Sequence, residues 1–366
     1  MQSGSSESGA RAEPWRNEEI TFPSGPNDLF GVLALPQGPG PFPALALMSG
    51  SVDPETGVRG GAADAVHRQH ACRFAEEGFA VLRYDPPGVG RSEGQAGFES
   101  LEDRTAEALA AVDYLRSRPD IRPDRVGLWG ISQGGWVIGM AAAAAPEKVA
   151  FIISVSGAGI SVVEQQLYAV ETQTRASGVS EDDVARALLF WRLLIDWQLA
   201  EPKFRAINEA EAERLGPGPW REFAQLVYEP GGLSPPDALA RGIAILEGIQ
   251  DQFWAQALYL KTLYLPRLRS VPPDRVAAGR TTAEESLFTD PADFLPRVHC
   301  PVLALFGETD RLVPAARSAA LFRQYLSEAG NADVEIVVFP GWGHALDMRS
   351  EKCWGTLADW LAKRAP

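Results

Sequence analysis

A serine stands between two glycines in Gly130-Ile131-Ser132-Gln133-Gly134, directly after the apolar segment Arg125–Trp129 and before an alanine-rich stretch ending at Ala145. A strand that enters a helix through so tight a turn holds its serine in strained geometry, with the hydroxyl above the sheet. Residues two positions away on either side must then be small. This arrangement suits a nucleophile for acyl chemistry. The helix N-terminus behind Ser132 favours developing negative charge, and the backbone N–H of Gln133 is expected to meet an oxyanion. The pattern recurs in Gly90-Arg91-Ser92-Glu93-Gly94. There Pro86-Pro87-Gly88 separates it from the preceding strand, and Gln95-Ala96-Gly97 follows in place of a helix. Ser132 is preferred over Ser92, and a plain turn serine is the bland alternative.

An activated serine needs a base, and the chain has only 4 histidines. His67 and His70 are three apart on an expected helix with no carboxylate set to complete a metal site, so surface or packing roles are expected for them. His299 precedes a strand and falls at the sheet edge opposite Ser132. His344 follows the last strand, in Pro340-Gly341-Trp342-Gly343-His344, at the edge where such sheets gather catalytic groups. It is the expected base. The acid that holds the imidazole tautomer and stabilises the imidazolium should also follow a strand. Val302–Phe306 leads into Gly307-Glu308-Thr309-Asp310, which gives Asp310, with Glu308 as the alternative. A second oxyanion donor is expected from Ser49-Gly50-Ser51, the loop after Ala44–Met48: the N–H of Ser51 first, Gly50 second, with a mere strand-ending turn as the competing view.

Strand-like runs are expected at Glu18–Phe22 and Leu29–Leu35 (an opening hairpin), Ala44–Met48, Phe79–Tyr84, Arg125–Trp129, Val149–Val155, Val302–Phe306 and Val334–Phe339. Helical spacing links them over Asp64–Glu77, Leu101–Arg116 and Ser350–Ala362. The alternation predicts an α/β fold with a mostly parallel sheet and helices on both faces. It breaks between about Gly159 and Leu287, where the sequence is helical and aromatic and Ser180 opens a helix with acids in its first turn. The expected organisation is a disordered tail over 1–15, a core over 16–159 and 287–366, and an inserted helical cap over 160–286. Gly50, Asp53, Trp136, Trp191 and Trp254 are candidate substrate contacts, with packing as the competing role for the tryptophans.

With 34 basic and 48 acidic residues the net charge is −14, which argues against nucleic acid and anionic membranes as partners. The N-terminal residues lack the apolar core of a secretory signal, and no apolar run reaches the ~18 residues of a membrane span. Cys72, Cys300 and Cys353 show no disulfide or zinc spacing and are expected to be buried reduced thiols. A cytoplasmic protein acting on a small acyl substrate is expected, with its oligomeric state left open, a homodimer included.

These motifs, together with Arg83-Tyr84-Asp85 and Gly88-Val89-Gly90-Arg91-Ser92 after the expected fourth strand, resemble capped α/β-hydrolases of the bacterial esterase, thioesterase and serine-aminopeptidase-like group. The order Ser132, Asp310, His344 matches that of the fold. The resemblance runs from about Leu29 to the C-terminus and weakens through the expected cap. It implies a Ser132–His344–Asp310 triad, oxyanion donors at Ser51 and Gln133, and neither metal nor organic cofactor. Ser49-Gly50 stands where many relatives carry His-Gly. Ester or thioester hydrolysis is the expected activity. Acyl transfer or cyclisation through the same triad, and non-catalytic ligand binding on the same fold, are the alternatives.

Overall fold

Phe42–Met48, Ala80–Tyr84, Ile152–Val155 and Val302–Gly307 are almost wholly apolar. Such segments cannot leave either face in water, so they form a sheet covered on both sides. A computed structural model describes residues 15–51, 59–97, 99–199, 203–204, 219–256, 259–277 and 284–364. Its strands are β1 (Trp15–Ser24), β2 (Asn27–Pro36), β3 (Phe42–Met48), β4 (Ala80–Tyr84), β5 (Ile121–Ile131), β6 (Ile152–Val155), β7 (Val302–Gly307) and β8 (Val334–Phe339). They form a single sheet in the order β1-β2-β4-β3-β5-β6-β7-β8. The β1–β2 hairpin and the β2–β4 pair are antiparallel, and the remaining pairs are parallel. Trp15, expected in the tail, is instead the first residue of β1 and pairs with Pro36.

Alternation along each strand splits the core in two. Ala44, Ala46 and Met48 join one cluster, whereas Leu45 and Leu47 join the other. Helices α2 (Leu101–Ser117) and α3 (Gly134–Ala144) cover the first face. Helix α1 (Ala65–Glu76) and the last helix cover the second. Asp64 caps α1 by accepting from the N–H groups of Val66 and His67. Ser100 and Asp103 close a capping box at the start of α2.

Between β6 and β7 the described residues are helical, without a strand. Helices α4 (Val162–Ala176), α5 (Glu181–Gln198), α6 (Pro219–Tyr228) and α7 (Pro235–Ile249) are followed by short helical turns. One of these, Leu260–Tyr264, is π-helical. Ser180 caps α5 through the N–H of Asp183, at the start expected from the sequence. An aromatic cluster of Phe190, Trp220, Phe223 and Trp254 knits α5 and α6 together. Helices α8 (Ala315–Glu328) and α9 (Glu351–Ala362) complete the chain. None of the three cysteines is in a disulfide, and Cys72 and Cys300 are half-buried rather than buried. Among the described residues no helix is long and apolar enough to cross a membrane.

Candidate active site

Strand β5 gives way to α3 at Ser132, whose φ is 54°, in the left-handed region that non-glycine residues seldom occupy. Close packing fixes this conformation. A Cβ on Gly130 would collide with the carbonyl of Gly134, and one on Gly134 would lie 2.7 Å from the Met48 carbonyl oxygen and 2.8 Å from that of Ser49. The Ser132 N–H donates to the Val155 carbonyl at 2.8 Å, tying the turn to the end of β6. Ser132 itself lines a cavity of about 290 Å³.

Asp310 is buried just past the end of β7. Its Oδ1 accepts from the N–H groups of Leu312 (2.7 Å) and Val313 (2.9 Å), and its Oδ2 lies 2.7 Å from His344 Nδ1. These bonds fix the carboxylate and turn Nδ1 of the ring toward it, with Nε2 on the opposite side. The loop carrying His344 is held from two sides. Thr309 donates twice to the Trp342 carbonyl, through N–H (2.8 Å) and Oγ1 (2.9 Å), and Ser156 Oγ donates to the His344 carbonyl at 2.8 Å. Ser156 also takes a positive φ, 51°. Val155 and Ser156, neighbours at the end of β6, thus connect the Ser132 turn to the His344 loop. Tyr168 on α4 donates to the Asp310 carbonyl at 2.9 Å, so the helical insertion is bonded directly to this group.

The competing residues take other roles. Glu308 accepts from the Gly341 N–H at 2.8 Å and braces the loop before His344. Ser92 donates to the Asp85 carbonyl (2.6 Å) and accepts from the Phe30 N–H (2.9 Å), a turn-stabilising arrangement. His299 is exposed, with Nδ1 3.1 Å from the Ala329 carbonyl. His67 and His70 are buried against Trp129. Burial pushes both imidazoles below their ordinary pKa, His70 to about 4.

Arg104, on α2, did not emerge from the sequence. It is buried, and its Nη2 donates to the carbonyls of Ser49 (2.5 Å) and Gly50 (3.1 Å), while its Nη1 donates to the side-chain oxygen of Gln133. One guanidinium therefore grips both segments expected to supply oxyanion donors. In a planar trans peptide the carbonyl and the following N–H point opposite ways. With the Gly50 carbonyl turned to Arg104, the Ser51 N–H faces away from it. Gly50 packs close to the serine; a Cβ there would lie 3.4 Å from Ser132 Cβ. Burial and the nearby Arg59 cation push the Arg104 pKa down to about 9, which leaves it charged at neutral pH.

Ser51, Gln133, Trp136 and Trp191 line the cavity with Ser132. One stripe of α4 faces it with Gln165, Gln166, Ala169, Val170 and Gln173, and Tyr259, with a φ of 54°, lines it as well. Trp191 donates to Gln166 Oε1 at 3.2 Å, which orients that amide. Trp254 is not among the lining residues; it is packed in the aromatic cluster of the insertion because its ring lies tilted against those of Phe190 and Trp220. Asp53 lies outside the described residues. Among the described residues no group of three or more His, Cys, Asp or Glu could hold a metal ion.

A family model described as X-Pro dipeptidyl-peptidase (S15 family) matches residues 29–216, a little over half of the chain, and one for the dienelactone hydrolase family matches residues 287–362. A thiohydrolase of Aspergillus aculeatus is 39% identical over 83 residues, 22% of this chain and 26% of that one. A polyketide transferase of a Penicillium species is 36% identical over 94 residues, 25% of this chain and 32% of that one. The matched segments thus span only about a quarter to a third of these relatives. A Pyrococcus furiosus esterase of known structure shares the fold with a TM-score of 0.54 at 12% identity, covering 96% of this chain and 92% of the other.

Proposed function

Because the chain belongs to the X-Pro dipeptidyl-peptidase (S15) family and is a hydrolase on the α/β-hydrolase fold, we propose that it cleaves a carboxylic ester or thioester through a Ser132–His344–Asp310 triad. One observation carries this reading. At the carboxyl ends of the parallel strands, a serine in strained geometry opens on a cavity, and the β6 end links it to an imidazole held at 2.7 Å by a buried carboxylate.

Ser132 Oγ attacks the acyl carbonyl while His344 Nε2 takes its proton. Asp310 holds Nδ1–H and stabilises the imidazolium that forms. The N–H groups of Ser51 and Gln133 receive the oxyanion, and Arg104 keeps them in place. The intermediate collapses to an acyl-enzyme as the imidazolium protonates the leaving group. Water, deprotonated by His344, then releases the acid. The helical insertion serves as a cap that shapes the acyl pocket through α4, Trp191 and Tyr259. Similarity to a polyketide transferase favours a second reading, in which an alcohol or amine replaces water. Turnover of 4-nitrophenyl butyrate and a butyryl thioester tests both. Free butyrate as the product, lost in Ser132→Ala, supports hydrolysis. Butyryl transfer to an added nucleophile in preference to water supports the second reading. An unaffected Ser132→Ala would reject the triad.

A further inference from the structure

Beside the cavity that holds Ser132 lies a second one of about 150 Å³, and Ser51, Gln133, Val162, Gln166 and Tyr264 line both. The two cavities therefore adjoin at the residues proposed as oxyanion donors. The rest of its lining differs from that of the first: Arg59, Arg104, Arg267 and Glu99 share it with Leu101, Leu194, Leu268 and Leu287.

Among the described residues the charges there do not balance. Arg59 pairs with Glu107 at 2.9 Å and lies 3.6 Å from Glu99. The hydrogen bonds of Arg104 go to two carbonyls and an amide, and that of Arg267 goes to the Gly97 carbonyl at 2.6 Å. Among the described residues three guanidinium cations thus meet two carboxylates, in a chain whose net charge is −14. Hydrogen bonding is incomplete as well. Arg59 Nε, Arg104 Nε, Arg267 Nε and Glu99 Oε1 are all buried without a hydrogen-bond partner. Buried polar atoms without partners are few in folded proteins, and each calls for an explanation. Unpaired buried cations are costly unless a counter-charge joins them. Water could complete hydrogen bonds but could not supply the missing negative charge.

We propose that this second cavity is a subsite for a carboxylate carried by the substrate, so that the enzyme acts on acidic esters or thioesters. The inference rests on the hydrolase reading above. The cation excess is a single charge and Glu99 stands in the wall, which disfavours a dianionic phosphate. A carboxylate matches the charge, fits the small volume and pairs with the planar fork of arginine. It would sit on the acyl side or the leaving-group side of the scissile bond, whichever crosses Ser51 and Gln133.

Two matched substrate pairs test this. Mono-4-nitrophenyl glutarate against 4-nitrophenyl pentanoate reads the acyl side. The pentanoate ester of glycolic acid against that of methyl glycolate reads the leaving-group side. The expected result is a kcat/KM at least tenfold higher for the acidic member of one pair. Arg267→Gln should shrink that ratio toward one; because a ratio is read, a loss of folded enzyme cancels. Preference for the neutral member in both pairs, a ratio untouched by Arg267→Gln, or a higher kcat/KM for an ammonium-bearing aminoacyl ester would overturn the subsite. If no ester or thioester is turned over at all, the hydrolase reading fails separately. Calorimetric titration of glutarate into Ser132→Ala then decides the subsite: binding weakened at least tenfold by Arg267→Gln supports it, and no binding overturns it.

Discussion

Replacing Arg104 with methionine keeps the apolar stem and removes the guanidinium. Three acceptors lose their donor: the buried carbonyl of Ser49 and the half-buried carbonyl of Gly50, at 2.5 and 3.1 Å, and the side-chain oxygen of half-buried Gln133. Leaving a buried acceptor unpaired costs about 1–3 kcal/mol. Removal of a desolvated cation offsets part of that cost, so the net loss of stability should be roughly 1–4 kcal/mol. The effect on catalysis should be sharper. Once its carbonyl is released, the Gly50–Ser51 peptide is free to turn, and the Ser51 N–H leaves the oxyanion. Loss of one such donor costs about 3–4 kcal/mol, or ~10²–10³-fold in kcat. Steady-state kinetics with a neutral 4-nitrophenyl ester should show that fall in kcat with KM little changed, because the oxyanion exists only beyond the ground state. Arg104→Lys, which keeps a donor, should recover part of the rate. A kcat for Arg104→Met within about threefold of the parent would refute the idea that this residue positions the donors.

Asp310→Asn should lower kcat by about 10⁴-fold, by analogy with serine proteases, because the amide favours the wrong imidazole tautomer; near-normal turnover would move the role to Glu308. His67 and His70 predict acid sensitivity. His70 protonates in the fold only at about 4, whereas in the unfolded chain it does so near 6.5. Between these values the unfolded chain binds more protons, so the contribution of His70 is complete above ~6.5 and lost as pH falls toward 4. The full span is worth on the order of 3 kcal/mol. Urea midpoints should drop between pH 7 and pH 5, and His70→Asn should flatten the slope; a parent midpoint that does not move would contradict the linkage.

What the sequence made legible follows from how local each signal is. Ser132 announces itself because its strand, turn and helix occupy one short stretch, and the two glycines answer contacts made by that turn itself. Asp310 and His344 could be shortlisted because each follows an apolar strand and because histidine is scarce. Arg104 gave no such signal. It sits inside α2, and its partners are 29 to 55 positions away, so only the assembled sheet brings them together. The second cavity was hidden for the same reason, since its arginines come from the loop before α1, from α2 and from the helical insertion. Trp254 shows the converse difficulty. An aromatic residue in an insertion reads alike whether it meets a ligand or its neighbours, and three-dimensional packing sends it to Phe190 and Trp220.

The central claim, that Ser132 is the nucleophile, is tested most directly by covalent labelling. A fluorophosphonate probe reacts with an activated serine, and mass mapping of the digested protein locates the adduct. The label should fall on Ser132, be absent from Ser132→Ala, and be reduced in Asp310→Asn. Labelling of Ser92, or labelling that persists in Ser132→Ala, would contradict the account.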